Sequence, residues 1–155
     1  MNNGAYDKLL DILSYKDYSS VEVFSKLVRK GFSEQDSAAA VARAVKNGLI
    51  DDARYAESVA ERKMSAMGRR GVENELLRRG IDRIMCRQIL DELYSDFDPC
   101  DDIVSQMEKK LRGQDMRDPK VRNRVFGSFA RKGYDFEDIS RAFELCGKNR
   151  ENEDE

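Results

Sequence analysis

The chain has 155 residues, of which 37% are charged and 40% are hydrophobic, and its formal net charge is -2 at pH 7. No apolar run approaches the roughly 18 residues of a membrane-spanning helix, and the first residues resemble no signal peptide, so we expect a soluble cytoplasmic protein without membrane contact. Histidine, the commonest general base and metal ligand, is absent, and Cys86, Cys100 and Cys146 lack metal-ligand spacing. We therefore predict no catalytic, cofactor or metal site, and an enzyme is the least favoured class.

Hydrophobic periodicity predicts helices along almost the whole chain and no strand. The first predicted helix carries apolar side chains at the spacing of one helical face, at Tyr6, Leu9, Leu10 and Leu13. In the second, Ser19 is expected to cap the start, Glu22 to complete a capping box, and Gly31 to end the helix.

The next helix boundaries follow from capping residues and glycines. Ser33 is expected to cap a third helix that ends near Gly48. Asp51 should open a fourth helix that ends before Gly68. Both prolines are predicted in the first turn of a later helix, each after an aspartate that caps it, in the pairs Asp98-Pro99 and Asp118-Pro119.

The small net charge hides strong segregation along the chain. Residues 62–87 hold eight cations and three anions, a net charge of +5, whereas residues 91–102 hold six anions and no cation. Residues 151–155 add four more anions without an apolar residue. Such a bipolar chain suits electrostatic pairing with a mixed protein or nucleoprotein surface.

An internal repeat is the most informative feature. Residues 27–33, 76–82 and 129–135 align, with their glycines 49 and 53 residues apart. Each glycine is expected to adopt a left-handed conformation that ends a helix, after two cations that complement the helix dipole. The aligned positions are the glycines Gly31, Gly80 and Gly133, the following caps Ser33, Asp82 and Asp135, and the preceding valines Val23, Val72 and Val125.

The repeat predicts an all-α fold of three tandem three-helix units, at residues 5–47, 51–94 and 98–146. The remaining residues, 147–155, are expected to form a disordered acidic tail. Because a unit of this size has a small core of its own, neighbouring units should stack and share apolar surface. We expect an elongated, curved array. It needs no partner chain to complete its core, so a monomer is expected.

Several motifs resemble those of the RecX family. Residues 16–23 and 26–32 are similar to its opening repeat, and residues 48–56 to its acidic-aromatic motif between repeats one and two. Further matches follow in the family's order and spacing, at Arg62, Gly68, Gly71, Glu75, Leu76, Arg79, Gly80 and Ile81. The resemblance covers about residues 5 to 146.

The resemblance implies a negative regulator of the bacterial recombinase RecA. Members of the family bind the RecA filament on single-stranded DNA and inhibit its ATPase, strand-exchange and coprotease activities. They are cytoplasmic and have neither catalytic residues nor a cofactor. Members are often basic, whereas this chain has a pI near 5.4, so we expect direct DNA contact to be weak and protein contacts to dominate.

Four cations are the candidate partner-binding residues: Arg62, Lys63, Arg69 and Arg70. The last two are expected on a glycine-flanked loop, where an arginine fork can pair with a carboxylate or a phosphate. The competing interpretation is that these charges only solvate an ionic surface. The cation pairs before the repeat glycines are explained by the helix dipole, and Phe32, Phe129 and Tyr134 are assigned to the core.

Two other binding functions stay open on the sequence. Short helices joined by glycine turns also occur in helix-turn-helix proteins, which would bind naked duplex DNA with a steep salt dependence. A helical adaptor for another protein would depend on neither DNA nor recombinase.

Overall fold

The computed structural model describes residues 3 to 154, and every regular element in this part of the chain is an α-helix. The helices are α1 (Asn3–Tyr15), α2 (Ser20–Arg29), α3 (Glu34–Lys46), α4 (Asp52–Lys63), α5 (Arg69–Arg78), α6 (Arg83–Leu93), α7 (Cys100–Leu111), α8 (Pro119–Arg131) and α9 (Phe136–Glu153). The predicted all-α class is confirmed. No helix among residues 3–154 is long and apolar enough to cross a membrane.

The three repeat glycines have the predicted backbone conformation. Their φ angles are +102° at Gly31, +85° at Gly80 and +91° at Gly133, all in the left-handed region that disfavours residues with a Cβ atom. The repeat-equivalent valines Val23, Val72 and Val125 are buried. The turn and the inward valine therefore recur as the sequence alignment predicts.

Several predicted caps are confirmed. The Ser19 hydroxyl accepts from the backbone N–H of Glu22 at 3.1 Å, and the Ser19 N–H donates to the Glu22 carboxylate at 3.0 Å, which completes the capping box. Ser33 accepts from the N–H of Asp36 at 3.0 Å. Asp118 accepts from the N–H of Lys120 at 2.9 Å.

Two predicted caps differ from the structure. Pro99 itself occupies the N-cap of α7, and Asp98 stands one residue earlier, where it accepts from the N–H of Cys100 at 3.0 Å. Asp135 is the N-cap of α9, but its side chain makes no capping hydrogen bond. Its carboxylate lies instead 3.9 Å from the guanidinium of Arg70.

The described chain forms two compact units. One runs as far as Ala60 and takes in Glu75–Ile89, and the other comprises Glu61–Asn74 and the chain from Leu90 onward. In the first unit α1, α2 and α3 pack on one another, around a core that includes Leu9, Val23, Leu27 and Ala44. In the second unit α7 and α8 pack on α9, around a core that includes Ile103, Met107, Leu111, Phe129 and Ile139.

A first inter-repeat contact lies within the first unit, where the turn after α5 meets the start of α2. The Ser19 hydroxyl donates to the backbone carbonyl of Arg79. The Arg79 guanidinium donates to the Tyr55 hydroxyl at 2.9 Å and to the Glu75 carboxylate at 3.1 Å. A Cβ atom at Gly80 would lie 2.5 Å from the Cβ of Val21. The contact consists largely of polar side chains.

A second inter-repeat contact lies within the second unit, where the turn after α8 meets the start of α5. The N–H of Gly68 donates to the carbonyl of Lys132 at 3.0 Å. A Cβ atom at Gly68 would lie 2.3 Å from the carbonyl oxygen of Gly133, and a Cβ atom at Gly133 would lie 2.1 Å from the nitrogen of Gly71. Here backbone packs directly on backbone, which only glycine permits.

The acidic tail predicted at residues 147–155 differs from the structure in its described part, because α9 continues as a helix to Glu153; Glu155 lies outside the described residues. Arg150 donates to the carbonyl of Gln114 at 2.8 Å and to that of Leu111. Asn149 donates to the carboxylate of Glu108 at 3.0 Å. Polar side chains therefore attach this segment to the end of α7, a possibility that its lack of apolar residues did not suggest.

Candidate partner-binding surface

Arg62 and Lys63 form the last turn of α4. Arg62 is exposed and Lys63 is half-buried, and within residues 3–154 neither forms an ion pair. The carbonyl of Lys63 accepts from the N–H groups of Ala66 and Met67, each at 3.1 Å, which ends the helix in a tight turn. Arg62 is thus a cation whose hydrogen-bonding capacity is open to a partner.

Arg69 and Arg70 do not lie on a loop, as the sequence suggested, but in the first turn of α5. The N–H of Val72 donates to the carbonyl of Gly68 at 3.0 Å, so the helix begins directly after that glycine. Gly68 and Gly71 both face the turn at Lys132 and Gly133 at distances that no Cβ atom could occupy. The flanking glycines therefore serve close packing rather than loop flexibility, and they hold both arginines on a fixed helical turn.

The side chain of Arg69 is already engaged within the second unit. It pairs with Asp91, and its guanidinium lies 5.8 Å from the centre of the Tyr94 ring. Burial, with a smaller contribution from Tyr134, raises the pKa of Tyr94 to about 12. The Tyr94 hydroxyl is buried without a hydrogen-bond partner among residues 3–154. Of the four predicted cations, Arg69 is the one most involved in internal contacts.

Arg70 is far more available than its neighbour. Its side chain is 73% exposed, and the only ion pair recorded for it in the described residues is with Asp135 at 3.9 Å. An exposed pair at that distance contributes little stability, because water screens it and the side chain loses entropy when held in place. The guanidinium can therefore exchange Asp135 for a carboxylate or phosphate of a partner.

The cations before the repeat glycines have a further role besides complementing the helix dipole. Arg79 makes the side-chain hydrogen bonds of the first inter-repeat contact. Its equivalent Lys132 donates to the side-chain oxygen of Gln106 at 2.9 Å, and burial lowers the pKa of Lys132, with Lys110 adding to the effect. By contrast Lys30, which stands before the first glycine, is exposed.

An apolar groove, which sequence reasoning missed, lies beside Arg70 on α8 and α9. Its cavity is about 430 Å³ and its lining includes Phe126, Ala130 and Phe136. Phe136 is 67% exposed, whereas Phe129 and Tyr134 are buried as predicted. One signal was present in the sequence: the positions equivalent to Phe136 in the first two repeats are Glu34 and Arg83.

Metal-binding clusters are not found in the described part of the chain: no three histidine, cysteine or acidic side chains there are placed to hold an ion. The three cysteines are free and buried. Of the four candidate cations, Arg62 and Arg70 are exposed, and Arg70 also lines the groove.

Comparison with family models matches three consecutive segments of the chain. They are described as the first, second and third three-helix domains of RecX, at residues 5–43, 51–90 and 98–143. The chain belongs to the RecX family. The resemblance inferred from the sequence motifs is confirmed, and so is the organisation into three three-helix domains.

Relatives in this family span nearly the same length. A protein named Regulatory protein RecX from Trichlorobacter lovleyi is 30% identical over 143 residues, covering 90% of this chain and 93% of the relative. The protein of the same name from Vibrio parahaemolyticus is 28% identical, covering 86% and 85% of the two chains. A crystal structure of RecX from Lactobacillus salivarius has the same fold, with a TM-score of 0.79, 23% identity and coverage of 94% and 96%.

The candidate residues can be assigned to domains by means of the RecX domain boundaries. Arg62, Lys63, Arg69 and Arg70 all fall in the second three-helix domain, and the groove is formed mainly by the third. Arg70 is the residue that brings the two features together, because it lines the groove from the start of α5.

Proposed function

We propose that this chain is a negative regulator of the recombinase RecA, which it binds as a filament on single-stranded DNA. Binding lowers the ATPase, strand-exchange and coprotease activities of that filament. The observation that carries the proposal is the match of all three RecX domains in order along the chain. Relatives over nearly the whole length are named regulatory proteins, which supports a regulatory role.

The charges of the second domain support contact with an anionic surface. Arg62 and Arg70 are exposed in a segment with a net charge of +5. The whole chain, at a net charge of -2, lacks the uniform positive charge typical of proteins that bind duplex DNA through phosphates. We therefore assign the main contacts to RecA itself and only weak contacts to DNA.

This role places the protein in the cytoplasm as a monomer that controls recombination, DNA repair and the SOS response. No cofactor is needed, because regulation by binding requires only differential affinity for the filament. Repeated weak contacts to successive subunits of a polymer add up to a useful affinity.

The test is to titrate the protein into RecA filaments assembled on single-stranded DNA while ATP hydrolysis is followed. We expect inhibition at or below a stoichiometric ratio of protein to RecA. Absence of inhibition, together with tight and strongly salt-dependent binding to bare duplex DNA, would instead identify a helix-turn-helix type DNA-binding protein.

A charge reversal tests the proposed cations. Arg70→Glu should weaken inhibition about tenfold, because it replaces a charge-assisted hydrogen bond by repulsion. The matched control is Arg78→Glu, since both side chains are 73% exposed and both lie on α5. Equal inhibition by the two variants would remove Arg70 from the binding surface. Circular dichroism should show unchanged helical content in both.

A further inference from the structure

The apolar groove of the third domain is open to solvent. Phe136 occupies the first position of α9 and is 67% exposed. Its ring lies 5.7 Å from that of Phe126, with the two planes inclined by 55°. The two rings are thus in contact and form part of the groove wall, and the cavity of about 430 Å³ lies within the range of roughly 300–1,000 Å³ typical of ligand pockets.

Three arginine side chains lie at or near this groove. Arg122 lies with its guanidinium 4.3 Å from the centre of the Phe126 ring. A Cβ atom at Gly127, in the groove lining, would lie 3.3 Å from a terminal nitrogen of Arg131. Arg70 lines the groove itself and faces Asp135 at 3.9 Å. Arg70 thus lines the cavity opposite Asp135, the one carboxylate of the lining, while Arg122 and Arg131 each lie beside a lining residue.

We propose that this groove binds a peptide segment of RecA that carries a large apolar side chain next to carboxylates. The apolar side chain fills the cavity and packs against Phe126 and Phe136, and a carboxylate replaces Asp135 at Arg70. Charge complementarity between an acidic segment and the exposed Arg70, with Arg122 and Arg131 nearby, favours this occupant. This inference rests on the proposed regulation of RecA.

A nucleic acid fits the groove less well than a peptide. Single-stranded nucleic acids stack their bases on flat aromatic faces within positively charged grooves, whereas the Phe126 and Phe136 rings are inclined to each other. An apolar side chain can pack against the inclined rings without stacking on either of them.

The chain offers a closely matched pair of variants. Phe136→Ser should weaken RecA inhibition about tenfold, because a few anchoring apolar side chains supply most of the binding energy of an interface. Ile84→Ser is the control, since Ile84 is 69% exposed and lies in the first turn of α6, the equivalent helix of the second domain. Both positions are exposed, so neither change should lower the melting temperature by more than a few degrees.

A photo-crosslinking benzoylphenylalanine in place of Phe136 identifies the occupant in the intact complex with RecA and oligo(dT). We expect crosslinks to the RecA polypeptide. Crosslinks to oligo(dT) would overturn the peptide assignment in favour of nucleic acid.

The outcomes of these experiments distinguish a failure of the groove proposal from a failure of the proposed function. Full inhibition by Phe136→Ser, without crosslinks, would overturn the groove while leaving the regulation of RecA intact. Failure of the unmodified protein to inhibit RecA would overturn the proposed function, and the RecA segment with it.

Discussion

The two inter-repeat contacts occupy equivalent positions but use different chemistry. Ser19 and Gly68 each stand twelve positions before a repeat glycine, and Arg79 and Lys132 each stand directly before one. In the first contact a serine hydroxyl donates to the Arg79 carbonyl. In the second the backbone N–H of Gly68 donates to the Lys132 carbonyl. The same acceptor is used twice, once by a side chain and once by the main chain.

This difference determines how strongly amino-acid substitutions disturb each contact. Side chains can adopt other rotamers at modest cost, whereas two backbones in direct contact have no such freedom. A Cβ atom at Gly80 would lie 2.5 Å from the Cβ of Val21, which no rotamer change can move, and one at Gly133 would lie 2.1 Å from the nitrogen of Gly71, whereas one at Gly31 would meet nothing within 4 Å. Gly31 should therefore tolerate substitution far better than the two equivalent glycines.

The largest expected effect is that of Gly133→Ala. The new Cβ atom would both strain a φ of +91° and collide with the Gly71 backbone, so unfolding should become easier by about 4 kcal/mol. Gly31→Ala has a similar φ strain without a collision and should cost about 1 kcal/mol. Urea denaturation measures both. Equal losses would show that backbone conformation alone, and not close packing, requires glycine at these turns.

A reciprocal exchange of equivalent residues should give the next largest effect. Gly68→Ser places a Cβ atom against the Gly133 carbonyl and should cost about 3 kcal/mol. Ser19→Gly loses the hydroxyl bonds to the Arg79 carbonyl and to the N–H of Glu22, but glycine is an acceptable N-cap residue, so the cost should be about 1 kcal/mol. The free energies of unfolding measured by urea titration test which of the two variants loses more stability. A smaller loss for Gly68→Ser than for Ser19→Gly would contradict the distinction between the two contacts.

The two tyrosines near the inter-repeat contacts should differ by a smaller amount in how much their hydroxyl groups stabilise the fold. The Tyr55 hydroxyl accepts from Arg79, whereas the Tyr94 hydroxyl has no partner in the described chain. Tyr55→Phe should therefore cost about 1 kcal/mol at pH 7, and Tyr94→Phe close to nothing. Urea titration at pH 7 tests this difference, which a marked loss in Tyr94→Phe would contradict.

The raised pKa of Tyr94 adds a dependence on alkaline pH. The folded chain holds the Tyr94 proton to about pH 12, whereas an unfolded chain releases it near pH 10. The stabilisation is complete below pH 10 and is lost as the pH rises toward 12. Tyr94→Phe should consequently lose less stability than the unmodified protein between these values. Parallel losses in both proteins would show that Tyr94 titrates normally.

Local signals in the sequence were sufficient to predict the helices and the turns between them. The capping box at Ser19 and the glycine turn at Gly133 depend on residues close in sequence, so their geometry could be predicted. The contacts of Gly68 and Arg150 depend on residues more than thirty positions away, about which local pattern says nothing. For that reason the predictions of a loop at Arg69 and of a disordered tail were wrong.

The candidate surface was predictable only in part. Charge segregation pointed to Arg62 and Arg70, which are exposed, but not to the engagement of Arg69 by Asp91. The groove at Phe136 escaped notice because aromatic residues at helix starts are more often assigned to the core. The available evidence was that the equivalent residues in the first two repeats, Glu34 and Arg83, are polar.

The turn of the first repeat has a practical consequence for measurement. Lys30 is exposed beside a glycine with open space around it, while all three native cysteines are buried and burial raises the pKa of Cys146 to about 11. A maleimide dye would therefore react at Lys30→Cys in preference to the native thiols. A chain without tryptophan thus gains a fluorescent reporter at an exposed turn of the first repeat.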